Sequence, residues 1–231
     1  MENLENLIRC DSENLPEHLL GIAFRINRER NQYHSGIFIR YDRQNYIFHF
    51  TGEGQKVFLD PPIENDWFFF KTMNNVKFFI PSVFAHFRRI KRMSKPDYFY
   101  FYGGGLFDQN GNYQDNKGMP NYMTCVGFCL AALKHSLRGI DFIKFDDWPV
   151  GVVKGKPSGF VNNFYTKNIA PNFPEITIEK FSTAVRRITP LEYISAAYSD
   201  KIPVPKSFVD NNKDTVKTEI KNRIDNWQDK S

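Results

Sequence analysis

Cysteine is scarce in this chain: Cys10, Cys125 and Cys129 are the whole set. Three thiols close no even disulfide framework, which excludes the stapled secreted domains and fits a reducing compartment. Long apolar runs are missing as well, so no transmembrane segment is expected. The opening Met1-Glu-Asn-Leu-Glu-Asn-Leu-Ile-Arg9 has no basic region leading into an apolar one, and the default expectation is a cytoplasmic protein. Export by a signal-less route would leave the same pattern. Gly103-Gly104-Gly105 lacks the Gly-Lys-Ser/Thr ending of a phosphate cradle and reads as a tight turn. Cys125 and Cys129 stand one helical turn apart, but Cys10 and His135 complete no tetrahedral set with them, so neither metal nor other cofactor is expected. No internal repeat is found.

Aromatic residues are abundant. Twenty-three phenylalanines and eleven tyrosines lie in a chain of 231 residues that is 41% hydrophobic, enough for a sizeable core and the wrong composition for disorder. The length fits a main domain over residues 1–200 and a C-terminal extension over 201–231. In that extension Val216, Ile220, Ile224 and Trp227 share one helical face, predicting a docked amphipathic helix.

The patterning predicts helix or turn over 3–26, then strands to about residue 60. A mixed segment covers 63–80, a short helix 81–93, and a strand 98–102. Two more strands are predicted, at Phe142–Phe145 and Ile176–Phe181, with a loop-rich stretch between Pro149 and Pro174. Gly36-Ile-Phe-Ile-Arg-Tyr41 and Tyr46-Ile-Phe-His-Phe50 read as a hairpin around a turn at 42–45, with His34 at its mouth. Val126, Leu130, Leu133 and Leu137 recur at helical spacing and Gly139 supplies a stop. Thr124 is placed to cap that helix, leaving Cys125 among unpaired amides that favour a thiolate.

A histidine opening a strand and a cysteine opening a helix form a catalytic pair when a fold brings them together. The pieces His34-Ser35-Gly36-Ile37-Phe38, Ile47-Phe48-His49-Phe50 and Thr124-Cys125-Val126-Gly127-Phe128 resemble the circularly permuted, papain-like cysteine enzymes of the NlpC type, with their YiiX-like and lecithin retinol acyltransferase-like branches. The resemblance covers roughly residues 18–145. It lacks the usual Gly-Asp turn before the first strand, where Gly21-Ile-Ala-Phe-Arg-Ile stands, and its hairpin loop is longer than the common form. It implies an α+β fold of the permuted papain-like kind, a small antiparallel sheet (34–60 and 98–102) packed against the helix that starts at the nucleophile. Cys125 would then be the nucleophile, His34 the base and His49 its orienting partner. The implied activity is amide hydrolysis through an acyl-enzyme, with a cell-wall peptide as leading substrate and a lipid ester or amide as the alternative.

Other roles follow from the residues themselves. A four-residue turn sets Phe38 opposite His49, which leaves His49 about 13 Å along the sheet from His34 by strand rise, with Asp42 and Asn45 as substitute orienters. The Cys125 amide is the first oxyanion donor, with Tyr33 or Gln32 as side-chain donors. Cys129 is expected to pack, and His18, His86 and His135 to be structural or exposed. The net charge of +5 and the run His86-Phe-Arg-Arg-Ile-Lys-Arg-Met-Ser-Lys95 beside an aromatic strand offer a competing reading as a nucleic-acid-binding module. The plainer reading of that run is the solvated end of a helix with Phe87 and Ile90 turned inward, and it makes nucleic acid the less expected partner. A papain-like scaffold without activity is a third reading. It would keep the fold and separate Cys125 from His34. Oligomeric state is not legible.

Overall fold

The computed structural model describes residues 6–27, 32–52, 54, 56–62, 68–73, 77–115, 118–151 and 159–228. Six strands, β1 (Ile8–Arg9), β2 (Leu19–Asn27), β3 (Gln32–Tyr41), β4 (Gln44–Thr51), β5 (Lys56–Asp60) and β6 (Phe68–Thr72), form one antiparallel sheet. Their order across it is β1-β6-β2-β3-β4-β5. Helix α1 (Ile80–Met93) follows, then four two-residue strands: β7 (Asp97–Tyr98), β8 (Leu106–Phe107), β9 (Tyr113–Gln114) and β10 (Tyr122–Met123). The remaining helices are α2 (Cys125–Ser136), α3 (Phe160–Phe164), α4 (Ile178–Ala184), α5 (Pro190–Ala196) and α6 (Lys206–Gln228). The architecture is mixed α+β. No helix among the described residues is long and apolar enough to cross a membrane.

Period-two alternation sorts the central strands onto two faces. Ile22 and Phe24 of β2, Ile37 and Ile39 of β3, and Phe48 and Phe50 of β4 enter the main core with Cys125, Phe128 and Ala132 of α2. Ala23, Phe38, Ile47 and Phe70 turn to the other face, where Cys10 and Leu15 of the N-terminal segment pack over them. Phe38 stacks on Phe70 there with ring centroids 3.8 Å apart. A third cluster, built on Phe101, Phe164, Ile176 and Phe181, lies away from the sheet.

Several expectations are corrected. The 3–26 region contributes β1 and the nine-residue β2, because Leu20, Ile22 and Phe24 alternate rather than recur at helical spacing. The mixed segment contains the fully buried β6. The 98–102 strand stops at Tyr98: beyond it only single contacts continue, Phe99 N–H to Met123 O at 2.9 Å and the Tyr102–Arg186 bridge, so this run joins no large sheet. Phe142–Phe145 reduces to one bridge, Ile143 to Val204, before a 3-10 turn at Phe145–Asp147. Ile176–Phe181 becomes the start of α4, since Thr177 caps Lys180 N–H and Glu179 sits in the first turn, where the helix dipole favours an acid. Within 149–174, residues 160–164 form α3 and 165–169 a π-helical turn.

Candidate active site

The hairpin decides where the two histidines sit. Asp42 and Arg43 both have positive φ, 51° and 59°, so two residues close the turn instead of four and Tyr41 pairs with Gln44. That is the mirror-image turn whose twist matches paired strands. It moves the register by two, and His49 stands opposite Gly36 rather than Phe38. The expected 13 Å gap disappears: His34 and His49 become diagonal neighbours on one face, with His34 Nε2 2.9 Å from His49 Nδ1. Gly36 is what lets them meet. A Cβ there would lie 3.1 Å from His49 Cβ and 3.0 Å from Ile47 Cγ2. Phe68 packs on both imidazoles, at 6.1 Å and 5.5 Å, and Phe58 stacks on His49 at 5.1 Å.

The cysteine arrives from the other side. Thr124 Oγ1 accepts Gly127 N–H at 2.9 Å and fixes the first turn of α2, with Cys125 as its first residue. Gly127 brings this turn close to Tyr102, since a Cβ on it would fall 2.6 Å from Tyr102 Cβ. The Cys125 sulfur is turned toward β3, where it receives the backbone N–H of Ser35, the residue after His34. Thiol and imidazole therefore meet the same end of one strand, from opposite faces. The expected thiol–imidazole hydrogen bond is absent among the described residues, because alternation along β3 sends His34 away from α2.

Electrostatics correct the thiolate expectation. Burial pushes the Cys125 thiol above its ordinary range, and the Ser35 amide, the Arg187 charge and the amides of Val126 and Cys125 oppose this without overcoming it. Burial, then His49 and Arg25, push His34 down to about 3, while burial and Arg25 take His49 to about 4. The resting groups are a neutral thiol and two neutral imidazoles. With His34 donating through Nε2 to His49 Nδ1, the lone pair of His34 sits on Nδ1, which has no hydrogen-bond partner among the described residues.

The other predicted residues fall elsewhere. Asn45 holds the N-terminal segment, donating to Cys10 O at 3.0 Å and Ser12 O at 2.7 Å, and Asp42 is the turn residue. Tyr33 stacks on Phe24 at 5.6 Å and walls a cavity of about 480 Å³ with Leu191, Ile220 and Ile224. The side chain of Gln32 lies outside the described residues. Cys129 is fully buried beside Tyr193. His18 stacks on Tyr41, and His86 on His135. Of the basic run, Phe87 and Ile90 are buried, Lys91 Nζ pairs with Asp60 at 2.8 Å and Arg89 donates to Gln109 O at 2.8 Å. No group of three or more His, Cys, Asp or Glu placed to hold a metal occurs among the described residues. Three neighbours of Cys125 were missed by sequence reasoning: the Ser35 amide, Tyr98 and Arg187, all brought near it by tertiary packing. Compared with family models, with curated proteins and with solved structures, the chain matches none.

Proposed function

We propose that this protein is a thiol hydrolase that cleaves an amide bond through a Cys125 acyl-enzyme, on a permuted papain-like scaffold. One observation carries the reading: the sulfur receives the amide of Ser35, next to the one imidazole whose Nε2 is engaged by His49. In this reading the candidate nucleophile meets one strand end from one face, and the candidate base and its orienting group meet it from the other. As Cys125 attacks the acyl carbonyl, its proton passes to His34, which lies on the opposite face of β3 and must change rotamer to reach it, and then to the departing amine. Water then attacks the thioester and gives its proton to His34, freeing the acid and the thiol. The Cys125 amide at the helix start is the first donor to the oxyanion. A peptide amide is the leading substrate and a lipid ester the alternative.

A small reagent is the right test, since Cys125 is only 4% exposed. With p-nitrophenyl acetate we expect a nitrophenol burst and an acetyl adduct on Cys125. Cys125→Ser should abolish both, and His34→Ala should slow acylation by about 10²–10⁴-fold, the range for general-base catalysis. His49→Ala should give a smaller loss, and Cys129→Ala none. Because burial holds His34 down to about 3 and the thiol up, the wild-type rate should stay level from pH 5 to 8, whereas the His34→Ala rate should climb with thiolate. The α2 thiol and the β3 imidazole lying on opposite faces of that strand favours a second reading, a scaffold without activity. Equal, slow acetylation of wild type and His34→Ala would establish that one.

A further inference from the structure

Arg187 stands out near the candidate nucleophile because no carboxylate among the described residues pairs with it. Its neighbour Arg186 is committed: the guanidinium pairs with Asp146 at 3.0 Å, donates to Ala184 O at 3.0 Å and lies 4.7 Å from the Phe145 ring centroid. Arg187 has no carboxylate partner among the described residues. It is half-buried and held by neutral contacts, Nη1 to Tyr100 O at 3.2 Å and the face of Tyr100 at 5.6 Å.

The backbone sets where it points. Arg186 and Tyr102 exchange N–H···O bonds of 3.1 Å, so Arg187 runs beside the 98–102 strip. The other edge of that strip pairs with Met123, and Tyr102 abuts Gly127, so the strip lies between Arg187 and the start of α2. Tyr98, 38% exposed on the same strip, completes the cluster. Both the Cys125 thiol and the Arg187 cation act on the Tyr98 hydroxyl, and Arg187 also acts on the thiol directly. A half-buried cation and a phenol beside a candidate nucleophile can form a receptor for a planar anion, since a guanidinium keeps free donors in a fork that matches a carboxylate.

We infer that Arg187 is a substrate-binding residue that selects acyl compounds carrying a carboxylate close to the scissile bond, with Tyr98 as a second donor. This rests on Cys125 being the reacting thiol, as proposed above. The preferred substrate class is therefore an acidic peptide or N-acyl amino acid rather than a neutral lipid ester.

The test compares alkylation of Cys125 by iodoacetate and by iodoacetamide, read by peptide mass mapping, with N-acetylcysteine as the free-thiol reference. In both reactions the sulfur–carbon bond forms, iodide leaves and the thiol proton passes to His34 or solvent. Relative to N-acetylcysteine, Cys125 should favour iodoacetate by about tenfold, the scale of one charge-assisted hydrogen bond. Arg187→Gln should return the ratio to the reference and Arg187→Lys should keep part of it. A ratio unaffected by Arg187→Gln, or equal to the reference in wild type, overturns the inference. Glutarate should also slow wild-type alkylation by iodoacetamide, a measurement independent of any variant's folding. Absence of protection counts against the site. The ratio needs no turnover, so a preference for iodoacetate without acetylation by the ester would sink the hydrolase reading and leave the anion site standing.

Discussion

At the scale of single residues, the protein carries three histidines whose burial opposes their charged form. His86 is the plainest, with 2% exposure, both ring nitrogens lacking partners among the described residues, and its ring stacked on His135 at 4.3 Å. Burial, then His135 and Arg89, push it down to about 4, with Asp108 opposing weakly. An unfolded histidine titrates near 6.5, so between about pH 4 and 6.5 the unfolded chain binds a proton that folded His86 refuses. The contribution to stability is full above pH 6.5 and is lost as the pH falls toward 4, and His34 and His49 act in the same direction. The thermal midpoint should therefore drop between pH 7 and 4.5. His86→Leu should flatten that drop and stabilise the fold by about 1–3 kcal/mol, the cost of orphaned buried polar groups. A calorimetric series over that range checks it. An unchanged slope would show that His86 is protonated in the folded protein.

At the scale of elements, the β3–β4 hairpin is where a local choice decides which side chains meet. Two left-handed residues, Asp42 and Arg43, set the register that puts His49 beside His34. Left-handed backbone costs a residue with a Cβ about 1–2 kcal/mol, a cost that glycine escapes. Arg43→Gly should thus raise stability by about 1 kcal/mol in urea unfolding and keep any esterase activity. Arg43→Val should lower stability by more than that, because β-branched residues resist positive φ. A neutral Arg43→Val would mean a longer turn, and with it the register that separates the histidines.

At the scale of the whole molecule, α6 belongs to the main core. Val209, Val216, Ile220 and Ile224 are buried in the cluster that also holds Cys125 and Phe24, and Glu219 accepts from both Tyr198 Oη at 2.7 Å and Leu7 N–H at 3.2 Å. The C-terminal helix thereby ties the start of the described chain to α5 and the sheet. Ile220→Ala should cost about 2–5 kcal/mol, in the range for a truncated core side chain, with unfolding still in one cooperative transition. A two-step melt with the first step at α6 would mark 201–231 as a separate unit.

Much of this was legible in the residues. The Thr124 cap, the helix from Cys125, the α1 stripe of Phe87 and Ile90, and the Val216, Ile220 and Ile224 face all follow from local periodicity and capping, which depend on neighbours within one turn. Trp227, placed on that same face by the sequence, has a side chain outside the described residues. Register was not legible, because Asp42-Arg43 carries no glycine or asparagine to announce a mirror-image turn, and a shift of two residues decides whether two histidines touch or stand a dozen ångströms apart. Nor was the face of His34, which strand alternation assigns only once it is known which face α2 covers. Arg187 lies 62 positions beyond Cys125, and long-range contacts, the Tyr102–Arg186 bridge and the Arg187–Tyr100 hydrogen bond among them, bring it to the candidate site. Local chemistry chose the helices and strands of this protein, whereas its candidate site was composed by long-range pairing, which no short window of sequence contains.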